Sequence, residues 1–351
     1  MHPKRNVIFL VPGFPKDEND TECIPALQNY ILYFATLNPA IPIFVISFQY
    51  PYFVGKYKWN NIPVYSAGGK NKRRWLKILT WMRVVYAFFR RARETDIAVI
   101  HSFWLGECAF VGQYLAKAFK IRHVASIGGQ DAKSTNRFLR RLDFSKLTIT
   151  TGSQFVANIF QAATRRKVEK IIPIGLDHQQ FKIMEPPPSR TIDILGVGSL
   201  IPIKNFALFI EIIAALTTEF PNLRARIIGD GTQRQDLEQL IQRRSPNNIQ
   251  LLGHLSRREV INHMAQSKIL LHASSYESQG YVFMEALYCG MTVVSFDVGY
   301  LGQTEKTIKC CHKDDMVENL RKLLKQKLDY NQVLIKPLEE TVQEFLDIYA
   351  L

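Results

Sequence analysis

A chain of 351 residues is long for one compact core and comfortable for two domains of ordinary size. With 47% hydrophobic and 22% charged residues it reads as folded and globular, and no apolar run of about 18 residues exists to span a bilayer. The net charge of +14 is lopsided: residues 1–185 carry 27 Lys/Arg against 12 Asp/Glu, whereas residues 186–351 carry 18 against 19. An excess confined to the first half suits contact with something anionic, whether membrane, nucleic acid or an anionic substrate.

In chain order, the start leads into the short apolar stretch Val7–Val11, closed by Pro12-Gly13. It is too short for a signal peptide's apolar region and predicts a first strand, Asn6–Val11. Further strands are predicted at Ile43–Phe48, Ile62–Tyr65, Ile97–His101, His123–Ile127 and Leu147–Thr151, then at Thr191–Val197, Ala225–Ile228, Ile249–Leu252, Ile269–Ala273 and Thr292–Phe296. Amphipathic stretches predict helices at Ala109–Phe119, Phe206–Glu219, Arg234–Arg243 and Arg257–Gln266. This alternation implies α/β parallel sheets built from βαβ units. Glu185-Pro186-Pro187-Pro188-Ser189-Arg190 sustains neither a helix nor a central strand and is read as a linker. The expected domains are 1–185 and 186–337, with 338–351 a terminal helix able to cross back onto the first. Two such domains leave a central cleft between the carboxyl ends of their strands.

The five cysteines (23, 108, 289, 310 and 311) show no paired spacing and are read as reduced thiols. Cys310-Cys311-His312 suggests a metal only superficially, since neighbours in a strand point to opposite faces and no second ligand cluster follows. No metal is expected.

Lys70 to Arg93 holds nine Lys/Arg and no acid, with tryptophan and leucine interleaved as in helices lying on anionic lipid. Lys72, Arg73, Arg74, Trp75, Lys77 and Trp81 are the candidate membrane contacts. The alternative is a helix that packs Trp75, Leu79 and Met82 into its own domain beneath a solvated basic face.

The most informative region is Ser274-Ser275-Tyr276-Glu277-Ser278-Gln279-Gly280-Tyr281-Val282-Phe283-Met284-Glu285-Ala286-Leu287-Tyr288-Cys289-Gly290. A buried strand ends in a polar loop, and a helix starts near Gly280 and stops at Gly290. Its N-terminus offers N–H groups and a favourable dipole to a phosphate, and Gly280 permits close approach. Glu285, surrounded by apolar residues, needs a partner, and paired ribose hydroxyls suit an acceptor-only group. The alternative is a capping Glu277 and a half-exposed Glu285.

Glu277 and Glu285, with seven residues between them, resemble the E-x7-E motif of glycosyltransferase family 4, retaining enzymes of the GT-B fold. Three further segments are similar to that family in the right order: Val197-Gly198-Ser199-Leu200-Ile201-Pro202-Ile203-Lys204-Asn205, Ile228-Gly229-Asp230-Gly231-Thr232 and Leu251-Leu252-Gly253-His254-Leu255. The likeness is thinner in His101-Ser102-Phe103-Trp104 and Gly128-Gly129-Gln130-Asp131. It implies a GT-B fold, two Rossmann-like parallel-sheet domains facing a central cleft. It further implies a nucleotide-sugar donor held by Gly13, Ser199, Lys204, Gly253, His254, Glu277, Gly280, Tyr281 and Glu285. Glu285 would hold the ribose, Lys204 would neutralise the diphosphate, and Glu277 would sit beside the sugar. Glu277, Lys204 and Asp131 are the catalytic candidates. No cofactor is implied, since the nucleotide sugar is a substrate.

The sequence departs from the family in three places. Ser199 stands where an arginine is usual, Gly128 where a histidine often stands, and the loop after the second glutamate reads Val298-Gly299-Tyr300-Leu301-Gly302-Gln303. Pro12-Gly13-Phe14-Pro15 is either a ligand-contacting loop or a plain turn. His101 either faces the cleft or is satisfied within the core. The expected activity is retaining, metal-independent sugar transfer to a glycan or lipid-linked acceptor in cell-surface polysaccharide or lipopolysaccharide synthesis. Its expected place is cytoplasmic, peripheral at the inner face of the membrane. Two other readings are a two-domain Rossmann-type oxidoreductase, for which Ile201 spoils a G-x-G-x-x-G pattern, and a non-catalytic nucleic-acid-binding protein, for which no recognition motif is present. The preferred reading has no nucleic-acid partner.

Overall fold

The computed structural model describes residues 6–21, 23–71, 76–181, 189–244 and 247–351. Lys72, Arg73, Arg74 and Trp75 of the candidate membrane contact, and Glu185–Pro188 of the expected linker, lie outside the described residues. The chain forms two compact units: one runs to Gly175 and takes up Leu338–Leu351, and the other is Leu176–Pro337.

In the first unit the opening apolar run becomes β1 (Asn6–Gly13), buried on both faces, as a strand in a doubly covered parallel sheet must be. The other strands are β2 (Ile43–Tyr50), β3 (Gly55–Trp59), β4 (Ile62–Ser66), β5 (Ile97–Phe103), β6 (Arg122–Ile127), β7 (Thr148–Thr151) and β8 (Lys170–Ile171). Their order is β3-β4-β2-β1-β5-β6-β7-β8. Among these strands only β3, which the sequence reading missed, pairs antiparallel. It joins β4 through Asn60 and Asn61, at φ of 44° and 63°, the left-handed backbone that asparagine tolerates in a tight hairpin.

Val7, Phe9 and Val11 pack under α1 (Pro25–Leu37) and α10 (Leu338–Tyr349). Ile8 and Leu10 point the other way, against α2 (Leu76–Glu94) and α3 (Glu107–Phe119). Helix α4 (Gln154–Thr164) covers β6 and β7 through Val156 and Phe160. A buried polar chain fixes α10: Tyr30 Oη meets Tyr349 Oη (3.0 Å), which meets His101 Nδ1 (2.5 Å), while His101 Nε2 meets Ser126 Oγ (2.7 Å). Burial, then the charge of His123, pushes the His101 pKa well below the usual imidazole value. His101 is thus a neutral core histidine, the second of the two alternatives read from the sequence.

The second unit has β9 (Ile192–Val197), β10 (Ala225–Ile228), β11 (Ile249–Gly253), β12 (Ser267–His272), β13 (Thr292–Phe296) and β14 (Thr307–Cys310), ordered β11-β10-β9-β12-β13-β14 and parallel throughout. Helices α5 (Phe206–Thr217), α6 (Arg234–Arg244) and α9 (Lys313–Lys325) cover Ile194, Ile227, Ile269 and Val294 on one face. Helices α7 (Arg257–Ala265) and α8 (Tyr281–Tyr288) pack beside β9, β12 and β13. Cys310 is buried, Cys311 is exposed, and His312 caps α9.

Two sheets flanked by helices, parallel but for the edge strand β3, make this the GT-B composition. In each sheet the chain crosses to the other side of its first strand, between β1 and β5 in the first unit and between β9 and β12 in the second. Ligands of such sheets bind outside the carboxyl ends of the strands at that point.

Candidate active site

In the second unit the loops after β9, β10 and β12 are sewn together, largely by backbone. Gly198 N–H donates to the Ile228 carbonyl (3.0 Å) and Leu200 N–H to that of Asp230 (2.9 Å). A Cβ on Gly229, at φ 148°, would fall 1.9 Å from the Gly198 carbonyl oxygen, so the Gly229-Asp230-Gly231 turn exists to let two backbones touch. A short 3-10 turn, Pro202–Lys204, then carries Lys204. The Ile203 carbonyl accepts from the Ser274 hydroxyl (2.9 Å) and the Ser275 N–H (3.1 Å), tying that turn to the loop after β12.

The result is a cluster of three groups. Lys204 Nζ pairs with Glu277 Oε1, and His272, the last residue of β12, sets Nε2 2.7 Å from the same oxygen. Glu277 is only 8% exposed. Burial raises its pKa, but the His272 hydrogen bond and the Lys204 charge together outweigh it and leave the carboxyl below its ordinary value. The carboxylate is therefore ionised near neutrality, and His272 Nε2 carries the hydrogen that faces it. From the other side Gly299, at φ 69°, brings its backbone against Glu277: an added Cβ would lie 3.0 Å from Glu277 Cβ. Tyr300 N–H donates to the Gln279 carbonyl (2.7 Å). The unusual Val298–Gln303 loop thus braces the Glu277 loop.

Glu285 is buried in α8, and its partner is Arg257, whose Nη1 lies 2.6 Å from Oε1. Arg257 opens α7 behind a capping box of Ser256 and Glu259, and its Nε donates to Gln180 Oε1 (3.1 Å). The capping box was readable as a helix start. Which cation would meet Glu285 was not, because α7 and α8 are brought together only by the sheet. His272 was missed for a similar reason: it lay inside a predicted apolar strand, and its place five residues before Glu277 was the one available signal.

Gly280 enters α8 at φ 71°, and a Cβ there would meet the Phe283 ring at 2.3 Å. Its glycine is required by this turn, a stronger constraint than ligand approach. Ser199 and His254 are exposed, Tyr281 is half-buried, and Gly253 ends β11 with its carbonyl accepting Gly229 N–H (2.9 Å). These four stand on the loops following β9 and β11 and at the start of α8.

In the first unit Asp131 accepts from the N–H groups of Leu105 (2.6 Å), Gly128 (3.2 Å) and Gly129 (2.7 Å). Burial raises its pKa against those bonds. The carboxylate is a clamp on two loops. Asp131→Ala should lower thermal stability by about 2–4 kcal/mol, since N–H groups lose their acceptor, measured as the shift in unfolding midpoint. Gly13 is buried, with Cys23 Sγ and Tyr50 Cβ each 3.5 Å from an added Cβ, so no crowding demands glycine there.

Lys77 pairs with Glu107 of α3, and Trp81 Nε1 donates to the same carboxylate (2.9 Å) while its ring meets Phe110. These two candidate membrane residues are therefore engaged within the first unit. Leu79 and Met82, by contrast, are 48% and 62% exposed, so the packing alternative fails for both. Among the described residues, no group of three or more His, Cys, Asp or Glu is placed to hold a metal, and no helix is long and apolar enough to cross a membrane.

Residues 178–337 match the family described as glycosyl transferases group 1. The chain is 27% identical over 181 residues to the phosphatidylinositol N-acetylglucosaminyltransferase gpi3 subunit of Schizosaccharomyces pombe, an alignment covering 49% of this chain and 39% of that protein. It is 30% identical over 137 residues to the phosphatidylinositol N-acetylglucosaminyltransferase GPI3 subunit of Saccharomyces cerevisiae, covering 37% and 30%. The chain therefore spans well under half the length of these curated relatives. Among solved structures, a glycosyltransferase from Rickettsia africae ESF-5 superposes with a TM-score of 0.71 at 14% identity, covering 98% of each chain. By its fold and by the segment carrying Lys204, Glu277 and Glu285, the chain is a GT-B protein related to the glycosyl transferases group 1, glycosyltransferase family 4.

Proposed function

We propose that the protein transfers a sugar from a nucleotide-sugar donor to a glycan or lipid-linked acceptor, with retention of anomeric configuration. The observation that carries this reading is the Lys204–Glu277–His272 cluster at the switch point of the second sheet, within the matched family segment. Glu285 takes the ribose hydroxyls as an acceptor-only group, and the first turn of α8 faces phosphate with its N–H groups. Lys204, the partner of Glu277, shares its charge with the diphosphate as the bond from the anomeric carbon to phosphate oxygen breaks. The acceptor hydroxyl forms the new bond on the same face, and its proton leaves to the departing phosphate. Glu277, held by a cation and an imidazole, is a poor nucleophile and serves to orient the sugar.

The relatives' names make nucleotide-linked N-acetylglucosamine the first donor to test. Donor titration by calorimetry and release of nucleoside diphosphate are the measurements. Binding and turnover that persist in the presence of a chelator are expected; failure of every nucleotide sugar to bind would sink the reading.

The acceptor side is read as an anionic lipid surface. Helix α2 exposes Ile78, Leu79, Met82, Tyr86 and Phe89, with Arg90 and Arg93 exposed beside them, in the unit carrying the basic excess. An apolar stripe edged by cations suits a membrane interface. Each cation near such a surface contributes about 1 kcal/mol, weakened by salt. Neutralising Lys72, Arg73 and Arg74 together should release the protein from phosphatidylserine vesicles at low salt, and Met82→Glu should weaken the salt-resistant part. Co-sedimentation of both variants at the wild-type level would leave α2 a solvated helix.

A further inference from the structure

A cavity of about 390 Å³ lies within the first unit, between the last two turns of α3, the start of β6 and the turn before β7. It therefore sits at the amino ends of these strands, the edge opposite the one where sheets of this kind take their ligands. Ala116, Ile121 and Leu147 give it an apolar lining. His123 also lines it as a neutral group: burial pushes its pKa down to about 3, and Nε2 meets Ser102 Oγ at 2.8 Å. The walls are fixed. Gln113 Nε2 donates to the Arg141 carbonyl (3.0 Å) and its Oε1 accepts the Asp143 N–H (2.9 Å), so one side chain of α3 holds the turn 141–143. Leu142 and Leu147 anchor the same segment in the core beside Phe160.

Lys117, Lys120, Arg141 and Lys146 line the cavity, all exposed, and none of them forms an ion pair among the described residues. Cations of α9, by contrast, are answered by acids: Lys313 meets Glu211, and Arg321 and Lys325 meet Glu219. The one carboxylate in the lining is engaged by its own turn, since Asp143 Oδ1 accepts the Ser145 hydroxyl (2.6 Å) and N–H (3.1 Å). Those bonds, followed by the charges of Lys146 and Lys117, hold the Asp143 carboxyl below its ordinary range. Four like charges around one concavity repel each other and concentrate anions there.

We infer that this cavity binds a phosphate ester, whose phosphate meets the four cations while its organic body lies on Ala116, Ile121 and Leu147. The planar Arg141 guanidinium offers a fork of N–H donors to two phosphate oxygens, and the lysines add point charges. A bare ion would leave most of the space unfilled, because about 300 Å³ is already enough for an organic ligand. The site calls on none of the residues assigned above to sugar transfer. The ester comes either free in solution or as the headgroup of an anionic lipid. Helices α2 and α3 cover one face of the first sheet and meet ring to ring at Trp81–Phe110 and Phe89–Phe119, so the cavity and the exposed stripe of α2 belong to one helical layer.

Calorimetric titration with glycerol 3-phosphate tests the free form. Co-sedimentation with phosphatidylcholine vesicles, with and without phosphatidic acid, tests the headgroup. Binding is expected in at least one arm, and it should weaken about tenfold in the double variant Lys117→Gln/Arg141→Gln, the loss of two exposed charge contacts. Arg141→Lys, which keeps the charge without the fork, should weaken it less. Lys322→Gln/Lys325→Gln removes the same charge from α9 and should bind as the wild type does. All the altered side chains are exposed, so the fold is kept. Binding of glycerol 3-phosphate assigns a free phosphate ester, and binding in the vesicle arm alone assigns a lipid headgroup. Absence of binding in both arms overturns the site, and so does a cavity double variant that weakens binding no more than the α9 pair.

Discussion

Lys204→Ala should lower turnover on a nucleotide-sugar donor by about 10²–10³-fold, the cost of removing one group aimed at charge that develops in the transition state. Stability should fall by less, about 1–3 kcal/mol, because Glu277 keeps its bond to His272 when the lysine goes. The pH dependence separates the two effects. A carboxyl whose folded pKa lies below its unfolded value contributes stability that is present above the unfolded value and lost as pH falls through the folded one. Glu277 is such a group, and Lys204 is one of the causes. Without Lys204 the folded pKa rises toward the unfolded value, the contribution shrinks, and acid unfolding begins at higher pH. Lys204→Arg should restore much of the acid stability. Rates at saturating donor, with unfolding midpoints between about pH 3 and 7, the range over which a carboxyl crosses from protonated to ionised, make the comparison. Wild-type turnover in Lys204→Ala would place Lys204 outside the chemistry.

The fold was legible because parallel strands buried on both faces leave continuous apolar runs, as in Val7–Val11 and Thr292–Phe296. Strands without that signature escaped. Gly55–Trp59 is an edge strand with alternating exposure, and Thr307–Cys310 is short and only half-buried. Of the candidate site, Lys204, Glu277 and Glu285 were reachable through motif spacing on one stretch of chain. Their partners were not, since His272 and Arg257 meet them across sheet and helix packing that no linear spacing encodes. Asp131 shows what linear reading leaves out. A lone acid on a glycine-rich loop reads as available for chemistry, yet its oxygens face backbone N–H groups on two loops. The basic segment has the same limit: Lys77 and Trp81 look unbalanced along the chain, but Glu107 reaches them from the following helix.

The second large effect is expected at Glu285, where Glu285→Gln is more informative than truncation. The carboxylate bonds Arg257 through Oε1, and under the proposed function it accepts from the donor ribose as well. Glutamine can turn its carbonyl to Arg257 and keep that contact, so the fold should hold. Its amide nitrogen, however, donates and cannot accept a ribose hydroxyl. Nucleotide affinity should therefore fall about ten- to hundredfold, the range for losing a charge-assisted hydrogen bond. Glu285→Ala should lose the same binding and in addition destabilise the protein, because Arg257 is left half-buried without its counter-charge. A deoxyribose donor gives the sharpest reading. The wild type should prefer the ribose form, whereas Glu285→Gln should bind both forms alike, since the discriminating acceptor is gone; the difference between the two preferences is a coupling measured by a double-mutant cycle. Calorimetric titration of nucleoside and deoxynucleoside diphosphates into both proteins makes the measurement. An equal preference for ribose in wild type and Glu285→Gln would remove the carboxylate from the ribose and leave its pairing with Arg257 as a tie between α7 and α8.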